Sequence, residues 1–242
     1  MHILIKYTSR ERRDRFFEGM HSIHNLISDK INFTVQCTLD EDDGSMNNYD
    51  VISQIQKFPN TVYRFGKSES KIHAINRDMD IVPHWDILVN FSDDMRFIVH
   101  GWDKHIREGF QYNAPDLDMY CHWPERDTNQ ILCTMSIIGK KYFERDRYIY
   151  HPSYLSLFCD NESQQVAKMR DKYRFMGLYI FQHLNPAYGH LAKDSMFIRQ
   201  QNLWGLDEEN FKQRAARNFD LPPEEIIKNQ INILLEEKMA IR

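Results

Sequence analysis

Within the first 110 residues, short runs of branched and aromatic residues alternate with stretches of helical periodicity, and this alternation restricts the fold more than any other feature. HILIKY (2–7), INFTVQCTL (31–39), TVYRF (61–65) and WDILVNF (85–91) read as strands. Between them, Phe16, Phe17, Met20, Ile23 and Ile27 recur at helical spacing after Thr8-Ser9-Arg10-Glu11, which has the spacing of a capping box. Ile72, Ile75 and Met79 form a second apolar stripe, started by Ser68 or Ser70. Strands and helices in strict alternation predict an α/β fold: a mainly parallel sheet flanked by helices on both faces. In such sheets ligands sit beyond the carboxyl ends of the strands. Thr8, Ser9, Arg10, Asp40, Glu41, Asp42, Ser92, Asp93 and Asp94 all follow strand ends, so they are expected to border one crevice.

After about residue 112 the rhythm changes. DLDMYCHW (116–123) and NQILCTMSIIG (129–139) read as strands, YFERDRYIYHPSY as an irregular aromatic stretch, NESQQVAKMRDKY as a short helix and YRFMGLYIFQHL as a further strand. The tail LPPEEIIKNQINILLEEKMAIR opens on prolines suited to a helix start and then carries Ile226, Ile227, Ile231, Leu234 and Leu235 on one face. In 242 residues with 42% apolar and 13% aromatic side chains there is material for one packed domain. No repeat or Gly-, Ser- or Pro-rich linker divides it. A single domain over 1–219 is expected, with halves at 1–110 and 111–219, followed by a C-terminal helical extension over 220–242 that closes the core or pairs subunits.

A net charge of −4 advertises no general affinity for nucleic acid or anionic membrane. The apolar runs, such as FMGLYIF (175–181), are too short for a membrane span, and MHILIKYTSRERR lacks the layout of a signal peptide. Cys37, Cys121, Cys133 and Cys159 form no CxxC pair, as expected of reduced thiols in a cytoplasmic protein. A zinc site at Cys121, His122 and Cys133 is weaker than core packing as an explanation of those residues, and a metal clip of His21 and His24 weaker than a polar helix face. Residues 139–154 interleave Lys140, Lys141, Arg145 and Arg147 with aromatics, as a nucleic-acid groove does, but also contain Glu144 and Asp146.

The stretch ILVNFSDDM (87–95) delivers Asp93 and Asp94 side by side from an apolar strand. Adjacent carboxylates repel, and desolvation adds to the cost. Two arrangements relieve this: a divalent cation with hard oxygen ligands, magnesium or manganese, or the start of a helix, whose dipole favours anions. The pair alone leaves both open.

Four segments in order make the chain resemble the GT-A glycosyltransferases, particularly family 2-like enzymes that use nucleotide-diphosphate sugars. These are KYTSRER after the first strand, the acidic TLDEDDGS after the second, SKIHAIN in place of a GKxxAxN helix, and Ser92-Asp93-Asp94 in place of DXD. The agreement covers roughly the first hundred residues and is a matter of fold-level analogy.

The resemblance implies a GT-A (Rossmann-like) fold and metal-dependent transfer of a sugar from a nucleotide-diphosphate sugar, most often a UDP-sugar, to an acceptor hydroxyl of a saccharide or glycan with inversion. It implies donor contacts from Thr8, Ser9, Arg10, Asp40, Lys71, Asn76, Ser92 and Asp93. Mn2+ or Mg2+ is expected on Asp94, with His190 as a further ligand. Asp160 or Glu162 is expected as the base, with Asp160 preferred, although Asp160 also fits the N-cap of a helix beginning at Asn161. Trp123 is expected either to stack on an acceptor sugar or to fill the core. Other readings remain: transfer to hydroxymethylated bases in DNA through Lys140 and Lys141, a nucleotidyltransferase, or an inactive nucleotide-binding or assembly module. A nucleotidyltransferase calls for a glycine-rich phosphate loop near the N-terminus, which KYTSRERRD does not supply.

Overall fold

The computed structural model describes residues 1–125, 132–186, 189 and 192–226. Its central sheet is seven-stranded: β1 (Ile3–Ser9), β2 (Phe33–Asp40), β3 (Thr61–Gly66), β4 (Ile87–Ser92), β6 (Tyr120–His122), β7 (Ile137–Gly139) and β8 (Tyr173–Phe175) lie in the order β3-β2-β1-β4-β7-β6-β8. The first four strands are parallel, β7 runs antiparallel to β4 and β6, and β8 is parallel to β6. Parallel strands need crossovers, which α1 (Arg13–Leu26), α2 (Tyr49–Ile55) and α3 (Lys71–Asn76) supply. A separate ribbon pairs β5 (Met95–Phe97) with β9 (Phe181–His183), antiparallel.

Strand alternation splits the interior into two layers. Ile3, Ile5, Tyr7, Val35, Cys37, Val89 and Phe91 face one way, against α1, α2 and α4 (Trp102–Asn113). Leu4, Leu88 and Ile138 face the other way, against α3, α5 (Lys140–Asp146) and α6 (Cys159–Met169). The second face is polar in its middle. Lys6 is fully buried there and donates to Thr38 Oγ1 and to the Arg77 carbonyl at 2.7 Å, and burial lowers its pKa to about 7. Gly139 is where β7 meets the turn after α4: a Cβ there would stand 2.1 Å from the Leu117 carbonyl oxygen.

Two more helices, α7 (Ser195–Gln201) and α8 (Trp204–Ala216), complete the second half. The sequence reading contains neither of them, nor α2, α4 and α5. The 116–123 and 129–139 runs shrink to three-residue strands, and YRFMGLYIFQHL divides into β8 and β9, which belong to different sheets. The capping box also fails. Thr8 and Ser9 are still in β1, and α1 starts later, after Arg12, with no side-chain cap, because Ser9 Oγ is committed elsewhere. Ser70 does cap α3, accepting from the His73 N–H at 3.0 Å. Of the extension expected at 220–242, the described part holds 3-10 turns at Asn218–Asp220 and Pro223–Glu225; residues 227–242 lie outside the described residues.

Candidate functional site

At the carboxyl ends of β1, β2 and β4, side chains join the segments that follow the strands. Arg10 donates to Asp40 at 2.8 Å and to both oxygens of Asp42 at 2.6 and 3.0 Å, and these carboxylates hold its guanidinium even more firmly protonated. Thr8 is paired in register with Thr38 on one side and Ser92 on the other. Asp40 Oδ1 is buried without a hydrogen-bond partner, 3.7 Å from the Arg77 guanidinium.

Asp93 and Asp94 diverge at the end of β4. Asp93 turns inward, accepting from Ser9 Oγ and from Arg12 Nη1, each at 2.8 Å. Burial raises its pKa against the opposing pull of Arg12. Arg12 also grips both oxygens of Asp194 at 2.8 Å, and Asp194 caps α7 by accepting from the Phe197 N–H. Asp93 is thus tied to the start of the α7–α8 segment.

Asp94 turns the other way. Ser92, where the DXD pattern has its first acid, donates its hydroxyl to Asp94 Oδ1. The register of the β5–β9 ribbon sets His183 opposite Met95, and the Leu184 N–H donates to the Asp94 carbonyl at 2.7 Å. His183 Nε2 therefore comes within 3.4 Å of Asp94 Oδ2. Burial works against ionising Asp94, but His183, Lys71 and the Ser92 hydroxyl outweigh it and hold its pKa far below the usual carboxylate range.

His183 is clasped from behind by Glu125, whose Oε2 lies 3.2 Å from Nδ1. Glu125 is itself fixed by the Thr134 and Met135 N–H groups at 2.6 and 3.0 Å and by the Thr134 hydroxyl. Burial would discharge this imidazole, yet the two flanking carboxylates raise its pKa to about 10. Sequence reasoning missed His183 and Glu125. The available signal was a histidine closing the FQH strand and a glutamate after Trp-Pro, and neither stands out without the pairing of β9 with β5.

Asp160 sits in the first turn of α6, partly buried, its Oδ1 accepting from the Asn161 N–H at 3.0 Å. Burial raises its pKa to about 6, against the pull of Lys71 and reinforced by Glu125. Lys71, exposed at the start of α3, acts electrostatically on both Asp94 and Asp160.

Three expected residues have other duties. Glu162 is buried and bound by Arg214 of α8 at 2.7 and 2.8 Å and by the Tyr154 hydroxyl at 2.7 Å, so its oxygens do not face the cleft as a free base. Asn76 anchors a loop, donating to the Tyr150 carbonyl at 2.6 Å and accepting from the Ile149 and Tyr150 N–H groups. Trp123 is 1% exposed and packs against Gly109 in the core, which leaves no face for a sugar. His190 lies outside the described residues.

The zinc trio does not assemble either, because alternation along β6 sends Cys121 into one core layer while Cys133 lies in the other. His122, Glu125 and Cys133 do gather within 4.8 Å, but each is satisfied by protein: His122 Nδ1 meets the Tyr173 hydroxyl at 2.7 Å, and the Cys133 thiol donates to the Met135 carbonyl at 3.3 Å. His24 bonds the Met20 and Pro59 carbonyls while His21 packs on Phe58, so no clip forms. The basic segment is largely neutralised at home. Lys140 lies over the Trp85 ring at 4.2 Å, Lys141 pairs with Asp116 at 2.7 Å, and Arg145 grips Asp118.

No helix among the described residues is long and apolar enough to cross a membrane.

No family model and no curated protein matches the sequence. Solved structures do match. TarS of S. aureus, residues 1–349 in complex with UDP-GlcNAc, superposes with a TM-score of 0.62 at 9% identity over 75% of this chain and 58% of that one. A longer TarS structure gives 0.61 at 9% identity over 76% and 36%. A mannosyltransferase of Pyrobaculum calidifontis in complex with GDP-Man and Mn2+ gives 0.55 at 10% identity over 74% and 55%. The chain thus spans between about a third and three fifths of the length of these proteins. At such low identity the likeness is one of architecture, and on that ground the chain has the GT-A fold of nucleotide-sugar glycosyltransferases.

Proposed function

We propose that the protein transfers a sugar from a nucleotide-diphosphate sugar to an acceptor hydroxyl of a saccharide, with inversion at the anomeric carbon. The observation that supports this reading is that Lys71 acts electrostatically on both Asp94, just beyond β4, and Asp160, in the first turn of α6, within a GT-A architecture. Nucleotide sugars occupy the matched TarS and mannosyltransferase structures, and UDP is the nucleotide in the first. The ionised Asp94 carboxylate suits Mn2+ or Mg2+, and His183 Nε2, 3.4 Å away, would join it as a ligand only on giving up the proton that Asp94 and Glu125 hold on the ring. When bound, such an ion would neutralise charge gathering on the departing diphosphate.

The chain's own residues divide the remaining tasks. Lys71 faces the same leaving group and stabilises the negative charge that develops there. Asp40 and Arg10 frame the place for the base, and Thr8 and Ser92 border the ribose side. Asp93 acts at one remove, by fixing the Arg12–Asp194 connection. As the acceptor oxygen bonds to the anomeric carbon and the bond from that carbon to phosphate breaks, the hydroxyl proton passes to Asp160. A carboxyl titrating near 6 is mostly ionised at neutral pH and can receive it.

Thermal unfolding against a panel of nucleotide sugars tests the donor half of this reading. At least one is expected to raise the Tm only when Mn2+ or Mg2+ is also present, and Asp94→Asn is expected to remove that rise, read against the variant's own ligand-free Tm, which is lower because the ionised Asp94 stabilises the fold beside His183. A panel in which no nucleotide sugar gives a metal-dependent rise sinks the proposal.

A further inference from the structure

Trp204 is the first residue of α8 and is 49% exposed, whereas Trp85, Trp102 and Trp123 are exposed by 5%, 0% and 1%. A half-exposed indole needs no special account when it lies on a featureless surface. Trp204, however, has a fixed position. Its ring packs edge-on against Phe158, with centroids 4.9 Å apart and planes at 75°. Phe158 holds a left-handed backbone, φ 62°, as the residue that turns the chain into α6, and Asp160 follows two residues later. Such a conformation is strained for an aromatic residue and persists only where its surroundings impose it.

Those surroundings are supplied by α8. Asp207, 1% exposed, accepts from the N–H groups of Leu155, Ser156 and Leu157 at 2.9, 2.8 and 2.7 Å, and Arg214 binds Glu162 on α6. The helix that presents Trp204 is therefore bolted, at two points, to the segment that presents Asp160. About half of Trp204 stays open to solvent beside this contact, and an aromatic ring held rigidly on a helix bolted to the segment that carries Asp160 is suited to the apolar C–H face of a sugar ring.

We propose that Trp204, braced by Phe158, is the platform on which a pyranose ring of the acceptor stacks, in the place the sequence had suggested for Trp123. The proposal rests on the glycosyl-transfer reading for the identity of the ligand as an acceptor, but the carbohydrate contact itself can be tested alone. Because the other three tryptophans are buried, the fluorescence that acrylamide quenches readily in the wild-type protein belongs to Trp204.

The probes are the methyl glycosides of glucose, galactose, mannose and N-acetylglucosamine, each added with and without UDP and Mn2+, and neutral and anionic phospholipid vesicles serve as the comparison. At least one glycoside is expected to protect Trp204 from acrylamide, and Trp204→Phe is expected to remove the quenchable component. In transfer assays with the protecting glycoside, Trp204→Ala is expected to raise the acceptor KM about tenfold, with the metal-dependent donor Tm rise retained. Protection by vesicles and by no glycoside, or by nothing at all, overturns the platform. A donor Tm rise without glycoside protection rejects the platform alone, and protection without any donor Tm rise rejects glycosyl transfer alone.

Discussion

Asp160 and Glu162 sit two positions apart on one helix, yet their surroundings give them opposite duties. Glu162 spends both oxygens on Arg214 and Tyr154, whereas Asp160 keeps a carboxyl whose pKa burial raises to about 6. Asp160→Asn is expected to lower the transfer rate by about 10²- to 10⁴-fold while the donor Tm rise persists. With wild-type protein the rate is expected to be lost as pH falls through about 6, because only the ionised carboxylate accepts a proton. The stability effect has the opposite sign. The folded pKa lies above the ordinary value of 3.8, so the folded chain binds this proton more tightly than the unfolded one. The ionised carboxylate therefore destabilises the fold above about pH 6, and Asp160→Asn should leave the protein at least as stable as wild type at pH 7 by thermal unfolding. An acid after an aromatic stretch was visible in the sequence at Asp160. The uselessness of Glu162 as a base was not, because Arg214 lies 52 positions away and no local pattern links them.

At the scale of elements, the first half was written plainly in its periodicity and the second was not. Strands β1, β2 and β4 are almost wholly buried and read as apolar runs, with β3 a half-buried edge strand, but β6 to β9 are three residues each, too short for a period to register. Helix α8 mixes apolar and charged residues without a clear stripe, since its buried contacts are made largely by Asp207 and Arg214. Polar anchoring of this kind is invisible to hydrophobic pattern and plain in coordinates. Asp207→Ala would strand three backbone N–H groups, and a loss of about 3 kcal/mol is expected by chemical denaturation. Asp207→Asn, which keeps an acceptor oxygen, should lose clearly less. An equal loss in the two variants would mean that the carboxylate does not hold the turn.

For the molecule as a whole, net charge is a sum over every side chain, whereas the basic run at 139–154 meets acidic and aromatic partners from elsewhere in the chain. Lys141 pairs with Asp116 while both stay exposed, Arg145 grips Asp118, and Lys140 lies on an indole. Retention of the protein on hydroxymethylcytosine DNA at moderate salt is accordingly expected to be no greater than that of a protein of similar net charge, and reversing Lys140 and Lys141 to glutamate should change it little. Salt-sensitive, saturable binding that those reversals abolish would return DNA to consideration. The contrast shows why charge counts survive folding while charge runs do not: a count is conserved, but a run is redistributed when distant partners arrive.

The split between Asp93 and Asp94 has a consequence for how the turn after β4 can vary. One carboxylate is mortar, joined to Arg12, and its neighbour lies against His183, so their partners come from distant parts of the chain and neither can stand in for the other. Either aspartate can be replaced without removing the other's partners, but a residue inserted between Ser92 and Met95 would draw both away from them at once.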